Sequence, residues 1–107
     1  GGNPLISAVG MLVTTNDAFF GLDSVDVIGG RWWIRTAAPA YDAGSEADTE
    51  SCSDIPGPPC MNPGVRVTEG AEGYVHVHQG IDGTGDLDPA IWDWHNPVVS
   101  IQIIRGR

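Results

Sequence analysis

Glycine and proline punctuate this chain too often for any long regular element, at 15 and 8 of its 107 residues. Neither is tolerated well inside a helix or a central strand, so the segments between them are short. Those segments are rich in β-formers. Residues 5–13 are apolar and end at Thr14-Thr15-Asn16-Asp17, which reads as a buried strand and a turn. Residues 19–28 form a second strand candidate and residues 31–36 a third, Arg-Trp-Trp-Ile-Arg-Thr. Gly29-Gly30 lies between them, the spacing of a hairpin with a two-residue primed turn.

From Pro39 to about Pro63 the chain reads as a long loop. Residues 65–68 and 74–78 are short strand candidates. Pro89 to Trp94 reads as one helical turn, with Asp88 as its cap and Pro89 at the first position. Asn96-Pro97 breaks the chain before a last strand over residues 98–105, with Val99, Ile101 and Ile103 on one side and Ser100 and Gln102 on the other. About six short strands with long loops predict a single all-β domain, an antiparallel β-sandwich spanning residues 1–107. A hydrophobic content of 41% is enough for a packed core.

Charge narrows the function. Fourteen acidic residues face five arginines, there is no lysine, and the net charge is −9. Such a surface does not bind nucleic acid, which needs a basic face. No apolar run is long enough for a membrane span. An acid excess serves solubility, or it places carboxylates around a hard cation such as calcium. The two cysteines, Cys52 and Cys60, flank Ser-Asp-Ile-Pro-Gly-Pro-Pro. A disulfide stapling that loop is expected, which implies a secreted or periplasmic setting. The opening Gly1-Gly2-Asn3-Pro4 reads as a processed end rather than a signal peptide.

Three segments carry a family likeness. Residues 11–26, Met-Leu-Val-Thr-Thr-Asn-Asp-Ala-Phe-Phe-Gly-Leu-Asp-Ser-Val-Asp, resemble the spondin-domain signature. Residues 41–46, Tyr-Asp-Ala-Gly-Ser-Glu, resemble that family's Tyr-Asp-Ala-Gly-Thr-Asp element. Residues 93–99, Asp-Trp-His-Asn-Pro-Val-Val, are similar to the segment entering its final strand. The likeness spans most of residues 5–105 and corresponds to the C-terminal portion of a spondin-type domain. It implies a C2-like antiparallel sandwich in a secreted protein, with calcium held by loops at one end. By the same resemblance Asp17, Asp42 and Glu46 are the expected calcium ligands, with Asp48 a further one and Asp23 less suited because it lies within a strand. Ala18 stands where the family usually has Trp. The family's N-terminal strands are missing from this chain, so those strands or a protein partner are expected to cover its edges.

Two other groups of residues invite a metal. Asp82, Thr84, Asp86, Asp88 and Asp93 fall at positions 1, 3, 5, 7 and 12 of an EF-hand-type loop, but Leu87 replaces the turn glycine and position 12 is Asp. The expectation is that Asp86 and Asp88 brace the turn and cap the helix. His76 and His78 alternate on one strand and share a face, and His95 follows Trp94. The three make an alternative copper or zinc site, and bacterial spondin-like sequences carry a similar His-Val-His element. Without a metal, the same strand would turn Val75 and Val77 to the core. One of Trp32 and Trp33 requires a cover, while Trp92 and Trp94 are expected to pack under the final loop. No nucleophile elbow or nucleotide loop is present. The sequence therefore reads as a non-enzymatic calcium-binding module for protein–protein interaction or a structural subunit, with a small transition-metal protein as the alternative.

Overall fold

A computed structural model describes residues 5–27, 33–62, 66–104 and 106. Among the described residues six strands and one helical turn follow one another: β1 (Leu5–Met11), β2 (Ala18–Asp26), β3 (Trp33–Ala38), β4 (Ala40–Asp42), β5 (His76–Val77), α1 (Pro89–Trp92) and β6 (Val99–Ile104). They build two antiparallel sheets. One runs β1-β2-β4-β5, and the other pairs β3 with β6. The fold is all-β, and no described helix is long and apolar enough to cross a membrane.

The turn after β1 is set by its side chains. The Thr15 hydroxyl donates to the Leu12 carbonyl and accepts the Ala18 N–H. Asn16 accepts the Glu50 N–H and donates to Thr49 Oγ1, tying the turn to the acidic loop. β2 then returns against β1, with Met11 opposite Phe19 and Leu5 opposite Asp26.

The expected β2–β3 hairpin does not form. β2 pairs with β1 and β4, whereas β3 pairs along its whole length with β6, from Trp33 opposite Ile104 to Ala38 opposite Val99. Gly29-Gly30 itself lies outside the described residues. The change of sheet falls at Pro39. A proline has no N–H for the ladder, and here the chain leaves one sheet at Ala38 and enters the other at Ala40. Pro39 therefore opens not a loop but β4, a strand absent from the sequence reading. Residues 66–68 are not strand, and Val65 lies outside the described residues. Only His76 and Val77 of residues 74–78 are strand.

A compact hydrophobic cluster sits under the loops. Ile55, Ile81 and Leu87 are buried, and Cys60, Trp92 and Trp94 pack against them. The Cys52–Cys60 disulfide is present and closes the Pro/Gly loop beside this cluster. The cap of α1 is as expected: Asp88 Oδ1 accepts the Ala90 N–H, and Pro89 occupies the first turn. The final strand alternates as expected, with Val99, Ile101 and Ile103 half-buried between exposed neighbours.

Candidate metal centre

The pairing of β4 with β5 sets the geometry. Asp42 lies opposite His76 and Tyr41 opposite Val77, and the His78 N–H extends the ladder by donating to the Ala40 carbonyl at 2.9 Å. Strand alternation then puts Asp42, His76 and His78 on one face and Tyr41, Val75 and Val77 on the other. The valines do not turn to a core: Val75 is 59% and Val77 42% exposed, while His78 is only 4% exposed. The polar face of this strand is the better buried one.

Asp42 is almost fully buried. Its Oδ1 accepts the Gly44 N–H at 2.6 Å. Gly44 has φ +67°, and a Cβ there would run into the Tyr74 backbone, so the Asp-Ala-Gly turn needs glycine. Burial raises the Asp42 carboxyl above its ordinary range. The Gly44 N–H opposes that rise, and the charges of Asp17 and Glu72 reinforce it. On the other side of the same carboxylate, Oδ2 stands 3.7 Å from His76 Nε2.

The loop after β4 supplies Asp48, whose Oδ2 is 3.5 Å from His78 Nε2. Trp94 lies against the His78 ring, with centroids 5.0 Å apart. His78 Nδ1 accepts the Gly80 N–H at 3.1 Å, so in the neutral ring the proton sits on Nε2, toward Asp48. Burial pulls His78 down, but Asp48, with Asp42 and Glu50 behind it, outweighs burial and raises it overall.

One donor atom each from Asp42, Asp48 and His78 lie within 4.8 Å of one another. They open onto a cavity of about 360 Å³ that is also lined by His76, Asp82 and Asp93. The cluster thus draws Asp42 and Asp48 from the expected calcium set and His78 from the expected transition-metal set. His95 is exposed and does not line this cavity.

Asp17 and Glu46 have other contacts. Asp17 Oδ2 accepts the Ser45 N–H, the Ser45 hydroxyl and the Glu46 N–H at 2.7–2.8 Å. It brings the loops after β1 and β4 to the same end of the sheet. Glu46 pairs with Arg66 at 3.6 Å. Burial and then the Asp17 charge raise the Glu46 carboxyl, against the pull of Arg66. Calcium takes six to eight oxygens, and the donor cluster of Asp42, Asp48 and His78 is not such a cage. Asp23 lies on β2, bound to the Ser7 and Ser24 hydroxyls.

In the EF-hand-like segment the carboxylates point at backbone. Asp82 accepts the Thr84 N–H, Asp86 the Cys52 N–H, Asp88 the Ala90 N–H and Asp93 the Ile81 N–H. Asp88 caps the helix as expected and Asp82 braces its own turn, whereas Asp86, expected to brace the turn, ties this loop to the disulfide loop and Asp93 reaches back to Ile81.

Two residues that hold the site were not singled out in the sequence. Glu50 is 2% exposed, and its two oxygens accept the Asp82 and Gly83 N–H groups at 2.7 Å each. Asn96 bridges the ladder end, accepting the Ala40 N–H and donating to the His78 carbonyl at 2.8 Å each. The only local signal for Asn96 was the Asn-Pro break, and an acidic loop offers none that separates Glu50 from its neighbours. Comparison with protein-family models, curated proteins and solved structures gives no match for this chain.

Proposed function

We propose that this chain is an extracytoplasmic, non-enzymatic module, a C2-like β-sandwich of the spondin type, whose acidic loops hold a divalent cation. The observation that carries the reading is the convergence of Asp42, Asp48 and His78 at one cavity. The buried Asp42 and the exposed Asp48 carboxylates beside an imidazole repel each other when ionised, and a cation between them removes that cost. The disulfide supports a place outside the cytoplasm.

A docking role is supported by the opposite face of the same sheet. There Ala8, Val9, Phe19, Leu22, Tyr41 and Val75 line an apolar groove of about 430 Å³. β1 lies at the sheet's edge and carries no charged residue. In this reading the cation stiffens one end of the sheet while the apolar face meets a protein partner.

The test is thermal unfolding of chelator-stripped protein in a panel of divalent cations. A cation that binds only the folded state adds about 2.7 kcal/mol at a hundredfold excess over its dissociation constant. At least one cation is expected to raise the Tm of the parent protein and not that of Asp48→Asn. No shift with calcium, magnesium, manganese or zinc would remove the cation from the reading.

A further inference from the structure

We propose that the ion is a borderline transition metal of the zinc class rather than calcium, and that His76 is its fourth protein ligand beside Asp42, Asp48 and His78. This inference rests on the cation reading above and specifies its chemistry.

The first argument is the state of His76. Its Nδ1 faces the Tyr74 carbonyl at 3.4 Å, and a carbonyl only accepts. In the neutral tautomer that carries its proton on Nδ1, toward that carbonyl, the ring aims a lone pair from Nε2 at Asp42 Oδ2, 3.7 Å away. Two acceptors then face each other, and a cation between them satisfies both. A ring N–H given to a backbone carbonyl is also the usual way a metal-bound histidine is oriented.

The second argument is distance. The pairs His76–Asp42 and His78–Asp48 are separated by 3.7 and 3.5 Å. Hydrogen bonds between such groups run about 2.7–3.2 Å. The edge of a tetrahedron of nitrogen and oxygen ligands around zinc is about 3.3–3.6 Å, from metal–ligand bonds of about 2.0–2.2 Å. The His78–Asp48 spacing falls within that range and the His76–Asp42 spacing just beyond it, both longer than a hydrogen bond, and His76 reaches the trio of Asp42, Asp48 and His78 through Asp42. Asp48 lies on a loop, which gives it room to close on the ion.

The third argument is softness. Calcium seeks many oxygens, whereas two imidazoles with two carboxylates suit zinc and its neighbours. The protein also prepares the set. Asp42 and His76 are cross-strand partners, the Gly44 N–H anchors Asp42 Oδ1 and leaves Oδ2 to the cavity, and Trp94 backs the His78 ring. When the ion replaces the proton on His78 Nε2, the ring proton moves to Nδ1 and the Gly80 N–H contact opens. Four protein ligands leave no open position, so the ion joins β4, β5 and the acidic loop as a structural centre.

The experiment uses the whole chain stripped with chelator, then titrated with zinc, calcium and cobalt(II), the last as a spectroscopic probe of coordination number. One equivalent of zinc is expected to bind, and cobalt(II) to give the intense visible bands of a four-coordinate site. His76→Ala and His76→Gln are expected to weaken zinc roughly tenfold or more and to dim those bands, with the metal-free Tm unchanged. His95→Ala is expected to change neither. Binding of calcium without zinc would overturn the assignment of metal class while leaving the cation reading in place. Zinc affinity and cobalt spectra unaltered in both His76 variants would overturn the fourth ligand. Binding of no ion would remove the cation reading itself.

Discussion

The buried carboxylate of Glu50 reaches across 32 residues of chain to accept the Asp82 N–H at 2.7 Å. Its other oxygen takes the Gly83 N–H, its own N–H goes to Asn16, and its carbonyl accepts the Asp86 N–H. Glu50 holds this position at φ +51°, a left-handed conformation that costs a β-carbon residue about 1 kcal/mol or more. Four hydrogen bonds joining three loops offset that cost.

Glu50→Gln keeps the shape but turns an amide N–H against a backbone N–H. Loss of one charge-assisted bond to a buried group costs about 1.5–3 kcal/mol. The expected result is a Tm lower by roughly 5–15 °C in a chain of this size. Asp86→Asn, at an exposed contact with the Cys52 N–H, serves as the milder comparison. A Glu50→Gln melting curve that overlies the parent's would show that the clasp contributes nothing.

Gly44→Ala is expected to act on both the fold and the site. Its φ of +67° is unfavourable for a side chain, and the added Cβ would meet the Tyr74 backbone. The cost is about 2 kcal/mol or more. The displaced N–H would also release Asp42 Oδ1, so metal affinity is expected to fall along with stability. Measuring both by unfolding in chelator and in metal checks the link.

Removing the disulfide is expected to destabilise without changing the sheets. Closing a short loop between Cys52 and Cys60 contributes on the order of 2.5 kcal/mol in the chain-entropy account. Cys52→Ser/Cys60→Ser should lower the denaturant midpoint and leave the β-sheet circular dichroism intact. Intact mass of denatured, unreduced parent protein should show no free thiol, and two free thiols would contradict the bridge.

The metal-free protein is expected to gain stability on mild acidification. His78, Asp42 and Glu46 all titrate above their ordinary values of 6.5, 3.8 and 4.5 in the folded state. Each therefore contributes stability that is present below the unfolded value and lost as pH rises through the folded one. For His78 the loss occurs above pH 6.5, and for the two carboxyls above about pH 4. Asp23 has the opposite sign, since the Ser24 and Ser7 hydroxyls lower it, and its share is lost as pH falls below 3.8. Melting in chelator from pH 8 to pH 4 should give a rising Tm, and Asp48→Asn should flatten the part above pH 6.5. With zinc bound the slope should reverse, because protons compete for the same ligands. A Tm that falls steadily on acidification of metal-free protein would refute this account.

The sequence by itself determined what is local. Alternation named the faces of β6, the Asp88-Pro89 pair named a helix start, and the Pro/Gly segment between Cys52 and Cys60 named a loop to be stapled. Each rests on dihedral preference or on neighbours a few residues apart, which sequence order states directly. The same order also marked Asp42 and His78, but in separate lists. Only the tertiary structure decided that β2 and β3 belong to different sheets, that Val75 and Val77 face outward while His78 is buried, and that Asp42, Asp48 and His78 meet. Strand pairing is chosen by which distant partners bury the most surface and satisfy the most backbone groups. Nothing near Pro39 states that the chain changes sheets there, and nothing near Glu50 states that a loop more than thirty residues away will close upon it.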